Sequence, residues 1–252
     1  MQKTEKPFVE VNNLYKVYDG FSSVLDNVSL EIARGEIACI FGPNGCGKTT
    51  LLKIIAGIDK DYQGKVLIGG KSPIEVRTGI VPQDYDMTLL PWRNTVDNIT
   101  LPLEVNGYSR RELREIVVEF LKKMGIKLPL LSPVYKLSGG QKQLTVIART
   151  LINKPEFLVM DEPFASLDSS HFFQIADVLK RIWNLTEVST VLVTHDLVTA
   201  VLLSDQIFLF SPKPGRIVHC EKISLPEPRS VSDPLFVETV NYLQGVFLMG
   251  GE

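Results

Sequence analysis

Ile37-Ala38-Cys39-Ile40-Phe41-Gly42-Pro43-Asn44-Gly45-Cys46-Gly47-Lys48-Thr49-Thr50 is the stretch that decides the fold. Its first five residues form a continuous apolar run, the pattern of a strand buried on both faces. Gly42 to Thr49 then fits G-x-x-x-x-G-K-[ST], and the leucines and isoleucines of Lys48 to Ala56 suit a helix closed by Gly57. In that context the loop is a cradle for phosphate: backbone amides from Gly42 to Thr50 curl around oxygens, and the helix N-terminus adds positive potential. Lys48 reaches β- and γ-phosphates, and Thr49 offers a hydroxyl to a magnesium ion. Cys46 reads as a small residue filling a tight loop rather than a reactive thiol, and Cys39 reads as core.

On the N-terminal side, Phe8-Val11 alternates and Val28-Ala33 is a second short strand. Beyond the loop, Gly64-Gly69 and Thr78-Val81 read as strands, and from Thr95 to Leu151 the period becomes helical. There Leu113, Ile116, Val117, Phe120, Leu121 and Met124 recur at three- and four-residue spacing, opposite a solvated charged face. After Pro155 strands and helices alternate again. Phe157-Met160 and Thr190-Val193 are apolar strands, with helices over Ser169-Trp183 and Leu197-Leu203. Alternation of this kind predicts a parallel sheet. Ile207-Phe210 and Arg216-Ile223 add strands, and Asp233-Leu248 suits a helix.

The 27 basic and 29 acidic residues leave a net charge of -2, which offers no global attraction to nucleic acid or an anionic surface. Three cysteines without CxxC spacing suggest neither a disulfide framework nor a zinc site. No run approaches the ~20 apolar residues of a membrane span, so a membrane role is expected to come through a partner.

Two acids end the strand Phe157-Met160. A strand of a parallel sheet delivers them to its carboxyl edge, where the phosphate loop also lies. Asp161 is expected to bind magnesium and Glu162 to polarise a water that attacks the γ-phosphate in line. His195 follows Thr190-Thr194 and reaches the same edge, so it is a further candidate. His171 and His219 have no such placement.

Leu137-Ser138-Gly139-Gly140-Gln141, about twenty residues before Asp161, resembles the signature sequence of ABC ATPases. The resemblance covers nearly the whole chain. It implies an α/β core of the P-loop NTPase type, an antiparallel β subdomain and a helical subdomain at about 86–152, together one ABC ATPase domain over 1–252. It also implies that Tyr18 stacks on adenine, that Gln83 is the Q-loop residue and a magnesium ligand, and that Ser166-Leu167-Asp168 is the D-loop at a dimer interface. Ser138, Gly139 and Gly140 present a hydroxyl and bare amides at a helix start, an anion site in its own right. In the family that surface meets the ATP held by the opposite subunit, which predicts a homodimer on ATP binding with two equivalent sites.

The segment Asp84-Tyr85-Asp86-Met87-Thr88-Leu89-Leu90-Pro91-Trp92 carries apolar and aromatic residues in a loop and fits either a docking surface or a small satellite core. Leu89-Trp92, Arg93, Val96-Ile99 and Pro212-Ile217 look like the ATPases of nitrate, sulfonate and taurine importers, although Lys142 and Leu144 stand where arginines are common. The resemblance therefore implies ATP and Mg2+ as cofactors, membrane permease subunits as partners, a solute-binding protein acting indirectly, and a peripheral position on the cytoplasmic face of the membrane. The weighed alternative, a soluble ABC protein of DNA repair or translation, is expected to carry tandem cassettes or coiled-coil insertions. Asn153-Lys154-Pro155-Glu156 lacks the final aspartate of a guanine-reading N-K-x-D.

Overall fold

The computed structural model describes residues 6–18, 23–165 and 169–250. These divide into two compact units, Met1–Thr78, Phe157–Glu162 and Val188–Glu252 in the first, Gly79–Glu156 and Pro163–Glu187 in the second. In chain order the elements are β1 (Val9–Lys16), β2 (Leu25–Ile32), β3 (Ile37–Phe41), α1 (Lys48–Ile55), β4 (Gln63–Ile68), β5 (Thr78–Val81), α2 (Thr95–Thr100), α3 (Arg110–Met124), α4 (Gly139–Ile152), β6 (Phe157–Asp161), α5 (Ser169–Thr186), β7 (Ser189–Thr194), α6 (Leu197–Leu203), β8 (Gln206–Phe210), β9 (Ile217–Lys222) and α7 (Pro234–Met249).

The first unit holds two sheets. β2, β1 and β4 pair antiparallel with β1 in the middle. Alternation along β2 buries Leu25, Val28, Leu30 and Ile32 and turns Asn27, Ser29 and Glu31 outward, as a sheet with one covered face requires. Within this unit the second sheet runs in the order β6-β7-β3-β8-β9, and the first four of these strands are parallel. Every residue of β7 and β8 is buried, which is why the middle of β7 and nearly all of β8 read as apolar runs without alternation. The strand β9 turns back through Ser211–Gly215 and pairs antiparallel with β8, its residues alternating between half-buried and exposed.

The second unit is mostly helical. Helices α2, α3 and α4 begin on polar caps. Asn94 Oδ1 accepts from the Asp97 amide at 2.8 Å, while Ser109 with Glu112 and Ser138 with Gln141 form reciprocal capping boxes. The apolar stripe of α3 buries Leu113, Val117, Leu121 and Met124, with Ile116 and Phe120 half-buried. Arg111 and Glu115 pair at 2.9 Å on its solvated face. No helix among the described residues is long and apolar enough to cross a membrane.

Candidate active site

Strand register brings the first group of predicted residues together. In the parallel sheet Asp161 stands opposite Val193, and Phe41 opposite Thr194. Three adjacent strands therefore end at one edge, followed by Glu162, by His195 and by Gly42. The Glu162 amide donates to the Val193 carbonyl at 3.0 Å, extending the ladder by one residue before the chain leaves it. Glu162 has φ +45°, a left-handed conformation that is uncommon for a residue with a side chain and clusters at functional sites.

Glu162 is 7% exposed. One carboxylate oxygen, Oε1, lies 2.9 Å from His195 Nδ1 and 4.0 Å from Lys48 Nζ. A carboxylate only accepts, so Nδ1 carries the hydrogen of this bond, and Nε2 lies on the far side of the half-exposed ring. Lys48 is buried as well, and its ammonium donates to the carbonyls of Gly42 at 2.8 Å and Pro43 at 3.0 Å. Three groups able to handle phosphate charge and protons thus converge within a few ångströms.

Asp161 is half-buried and accepts a hydrogen bond from the Thr49 side chain. Burial drives its carboxyl pKa up from the ordinary aspartate range, and the Thr49 bond only partly opposes that shift. Its Oδ1 is buried and has no hydrogen-bond partner among the described residues. Buried polar atoms are nearly always paired, so an orphaned carboxylate oxygen beside a threonine hydroxyl is a place for a ligand.

The loop is shaped by close approaches. A Cβ on Gly42 would stand 2.9 Å from Phe210 Cβ, and one on Gly215 would stand 2.3 Å from the Cys46 carbonyl oxygen. The Pro212–Gly215 turn, which the sequence offered only as a family marker, therefore lies directly against the phosphate loop. Arg216 fastens this turn, its Nε donating to Asp26 at 2.8 Å. Cys46 and Cys39 are both buried, and burial pushes both thiols up in pKa, the opposite of an activated redox cysteine.

Tyr18, 41% exposed, also belongs to the first unit. Gln83 and Ser138 to Gln141 belong to the second, where Gln83 is exposed. Ser138 Oγ accepts from the Gln141 amide at 3.3 Å while Gln141 Oε1 accepts from Ser138 N at 3.0 Å, so both side chains cap α4. The amides of Gly139 and Gly140, in the first turn, lie ahead of the first intrahelical bond, in which Lys142 N donates to Ser138 O at 2.9 Å. A Cβ on Gly140 would stand 2.8 Å from the His171 ring, and on Gly139 3.2 Å from the Tyr85 hydroxyl. Ser166, Leu167 and Asp168 lie outside the described residues.

Sequence reasoning missed how the turn after Gln83 is held to α4. Lys142 Nζ reaches Asp86 Oδ1 at 3.0 Å, and Arg149 donates to the Thr88 carbonyl at 2.7 Å and to Thr88 Oγ1 at 2.9 Å. The only available signal was Lys142 itself, standing where the resemblance leads one to expect arginine. Beyond this turn Trp92 is 77% exposed, on a groove of about 390 Å³ lined also by Arg93, Asp97, Tyr108, Leu113 and Arg114.

A glycine-rich loop, a helix that opens on Lys48 and strand-end carboxylates at one edge of a parallel sheet define a P-loop nucleoside triphosphatase. The chain belongs to the ABC transporter family, whose profile matches residues 25–165. It is 41% identical over 238 residues to the uncharacterized ABC transporter ATP-binding protein MJ0412 of Methanocaldococcus jannaschii, covering 91% of this chain and 87% of that one. With the taurine import ATP-binding protein TauB of Escherichia coli O157:H7 it shares 36% identity over 248 residues, 93% of this chain and 95% of the other. Among solved structures, the dimeric post-hydrolysis state of the ATP-binding cassette MJ0796 bound to ADP and Pi is 31% identical, with TM-score 0.73, covering 86% of this chain and all of that one. The chain is accordingly an ABC ATPase with an α/β core, an antiparallel strand subdomain and helices.

Proposed function

We propose that the chain hydrolyses ATP to drive import of a small organic or inorganic anion of the sulfonate, taurine or nitrate type through a membrane permease, at the cytoplasmic face of the membrane. The observation that carries the chemical part is the convergence on Glu162 Oε1 of His195 Nδ1 at 2.9 Å and Lys48 Nζ at 4.0 Å. TauB, a relative over nearly the full length, supports the choice of substrate class.

In this reading Lys48 exchanges the carbonyls of Gly42 and Pro43 for β- and γ-phosphate oxygens, and the loop amides take the remaining oxygens. Glu162 accepts a proton from a water aligned behind the γ-phosphate. As the water oxygen bonds to phosphorus, the bond to the bridging oxygen breaks and ADP leaves. His195 holds the Glu162 carboxylate through Nδ1 and turns Nε2 outward, which keeps the general base oriented. The orphaned Asp161 Oδ1 and the Thr49 hydroxyl are hard oxygen donors that fit Mg2+. When bound, that ion would offset the negative charge of the β- and γ-phosphates. Gln83 offers an exposed amide oxygen of the same hard type.

Two copies act together, as in the dimeric cassette with ADP and Pi, and Ser138, Gly139 and Gly140 supply the second phosphate-binding surface of each pair. ATP favours the closed pair, and hydrolysis removes that preference. The permease docks on the groove beside Trp92, where one exposed indole stands among arginines and acids, an aromatic anchor in a largely polar surface. Reconstitution with the cognate permease and solute-binding protein tests the reading. ATP-dependent uptake of radiolabelled taurine or nitrate is expected, and its loss in Lys48→Ala. Uptake that ignores the Lys48 substitution, or transport confined to cationic or sugar solutes, would overturn it.

A further inference from the structure

Lys16 has no part in the site as described, yet it is the most enclosed cation of the first sheet, with 3% of its side chain exposed. A buried ammonium is costly unless fully partnered. Here Nζ donates to Asp59 Oδ1 at 3.0 Å, lies 3.3 Å from Asp61 Oδ2, and donates to the Asp61 carbonyl. Its remaining side is covered by the Tyr18 ring, whose centroid is 4.6 Å away. The Tyr18 hydroxyl donates to the other oxygen of the same carboxylate, Asp59 Oδ2, at 3.3 Å. Asp59 thus grips the ammonium with one oxygen and the phenol with the other, and the ring is fixed in both tilt and position.

The surroundings tie this cluster to the phosphate loop. The Lys16 carbonyl accepts from Val24 N at 2.8 Å, and the Val24 carbonyl lies 2.9 Å from where a Cβ of Gly47 would be. Asp59 hangs from the far end of α1, the helix that opens on Lys48, because the amides of Ile58 and Asp59 both donate to the Lys53 carbonyl, at 2.9 and 3.1 Å. Burial pulls the Lys16 pKa down, but the two aspartates more than reverse it and leave it raised, while the Lys16 bond holds the Asp59 carboxyl below its ordinary range against the effect of burial. The ammonium covers one face of the ring, and the residue is still 41% exposed, which leaves ring surface for a ligand.

We infer that Lys16 and Asp59 are positioning residues for the purine base: they lock Tyr18 with one face on the buried ammonium and offer the other to the base of the bound nucleotide. The inference rests on the reading of Tyr18 as the base-stacking ring. Its physical content is preorganisation, since a ring already fixed loses no rotamer freedom when the base arrives. Only ligands that carry a base benefit.

The test compares MgATP with inorganic tripolyphosphate, which has the phosphates and no base, by calorimetry on the full chain. Tyr18→Ala is expected to weaken ATP by about 10-fold or more, the range of a lost aromatic stack, with tripolyphosphate unchanged. Lys16→Met, which removes the cation beneath the ring, and Asp59→Asn, which loosens the hold on both ammonium and phenol, should each weaken ATP about 3- to 10-fold and leave tripolyphosphate within about twofold. Lys16→Arg should restore ATP affinity, and Tyr18→Phe, the mildest variant, should cost about twofold through the lost Asp59 bond. If Lys16→Met and Asp59→Asn bind ATP like the wild type while Tyr18→Ala does not, the positioning role is wrong and the stacking ring stands. Equal loss for ATP and tripolyphosphate in those variants also overturns the inference, because the cluster then serves only the fold. Undiminished ATP affinity in Tyr18→Ala removes the stacking ring itself, and the inference with it.

Discussion

Two glycines of the phosphate loop should respond very differently to one methyl group. Gly47, the cap of α1, has φ +109°, and a Cβ there would sit 2.8 Å from Leu25 Cδ2 and 2.9 Å from the Val24 carbonyl oxygen. Leu25 can shift, but the carbonyl is fixed, because it accepts from Gly215 N at 2.9 Å. Gly45 has φ +79° and would meet nothing within 4 Å. Gly45→Ala therefore carries only the backbone penalty, about 1–2 kcal/mol. Gly47→Ala adds an overpacking cost of about 1–3 kcal/mol to a backbone term of similar size, for about 2–5 kcal/mol in all. Against a typical total stability of about 5–15 kcal/mol that is a large fraction. Urea unfolding of the nucleotide-free chain, followed by near-ultraviolet circular dichroism, should place the Gly47→Ala midpoint well below that of Gly45→Ala. Saturating ATP should stabilise Gly45→Ala more than Gly47→Ala, since the displaced turn carries amides that face phosphate. Equal midpoints, or Gly47→Ala as stable as the wild type, would refute the packing described for this turn.

Asp161→Asn should raise the stability of the nucleotide-free chain at neutral pH while abolishing Mg2+-dependent hydrolysis, the usual trade at a destabilised functional site. The sign follows from burial: the folded carboxyl holds its proton more tightly than the unfolded one, so ionising it costs stability as pH rises through its raised pKa. The advantage of the amide should accordingly shrink as pH is lowered through that pKa, and thermal melts from neutral to acidic pH would show a constant or growing gap if the reasoning fails. Trp92→Ala should leave ATP affinity intact and weaken association with the permease by about 30-fold, the loss expected for a central interface tryptophan. Co-purification with unchanged yield would remove this groove from the interface.

The signals for the candidate site at the sheet edge are local. The G-x-x-x-x-G-K-[ST] loop between a buried strand and a helix, and an apolar strand ending in two acids, need only a few consecutive residues. The meeting of His195 with Glu162 depends on β6 and β7 being neighbours in parallel register, which no short pattern encodes. The left-handed backbone of Glu162 was equally hidden, since nothing in the side chain announces it. Lys16 is the clearest omission. A lysine at the end of a strand ordinarily reads as solvated, and its burial is decided by aspartates 43 and 45 positions away. β9 reads as one more strand of the alternating half, but the short turn at Ser211–Gly215 allows only an antiparallel return, because a parallel return needs a crossover of a dozen residues or so.

Glu162 is the residue on which ATP hydrolysis is expected to depend as general base. Single-turnover hydrolysis of MgATP by Glu162→Gln, measured with ATP binding recorded on the same preparation, tests it most directly. The amide is nearly isosteric and can still meet His195, so binding should persist while the chemical step slows by at least about 100-fold. The variant should also accumulate as an ATP-bound dimer. Hydrolysis at close to the wild-type rate would show that another group takes the proton and would contradict the central claim.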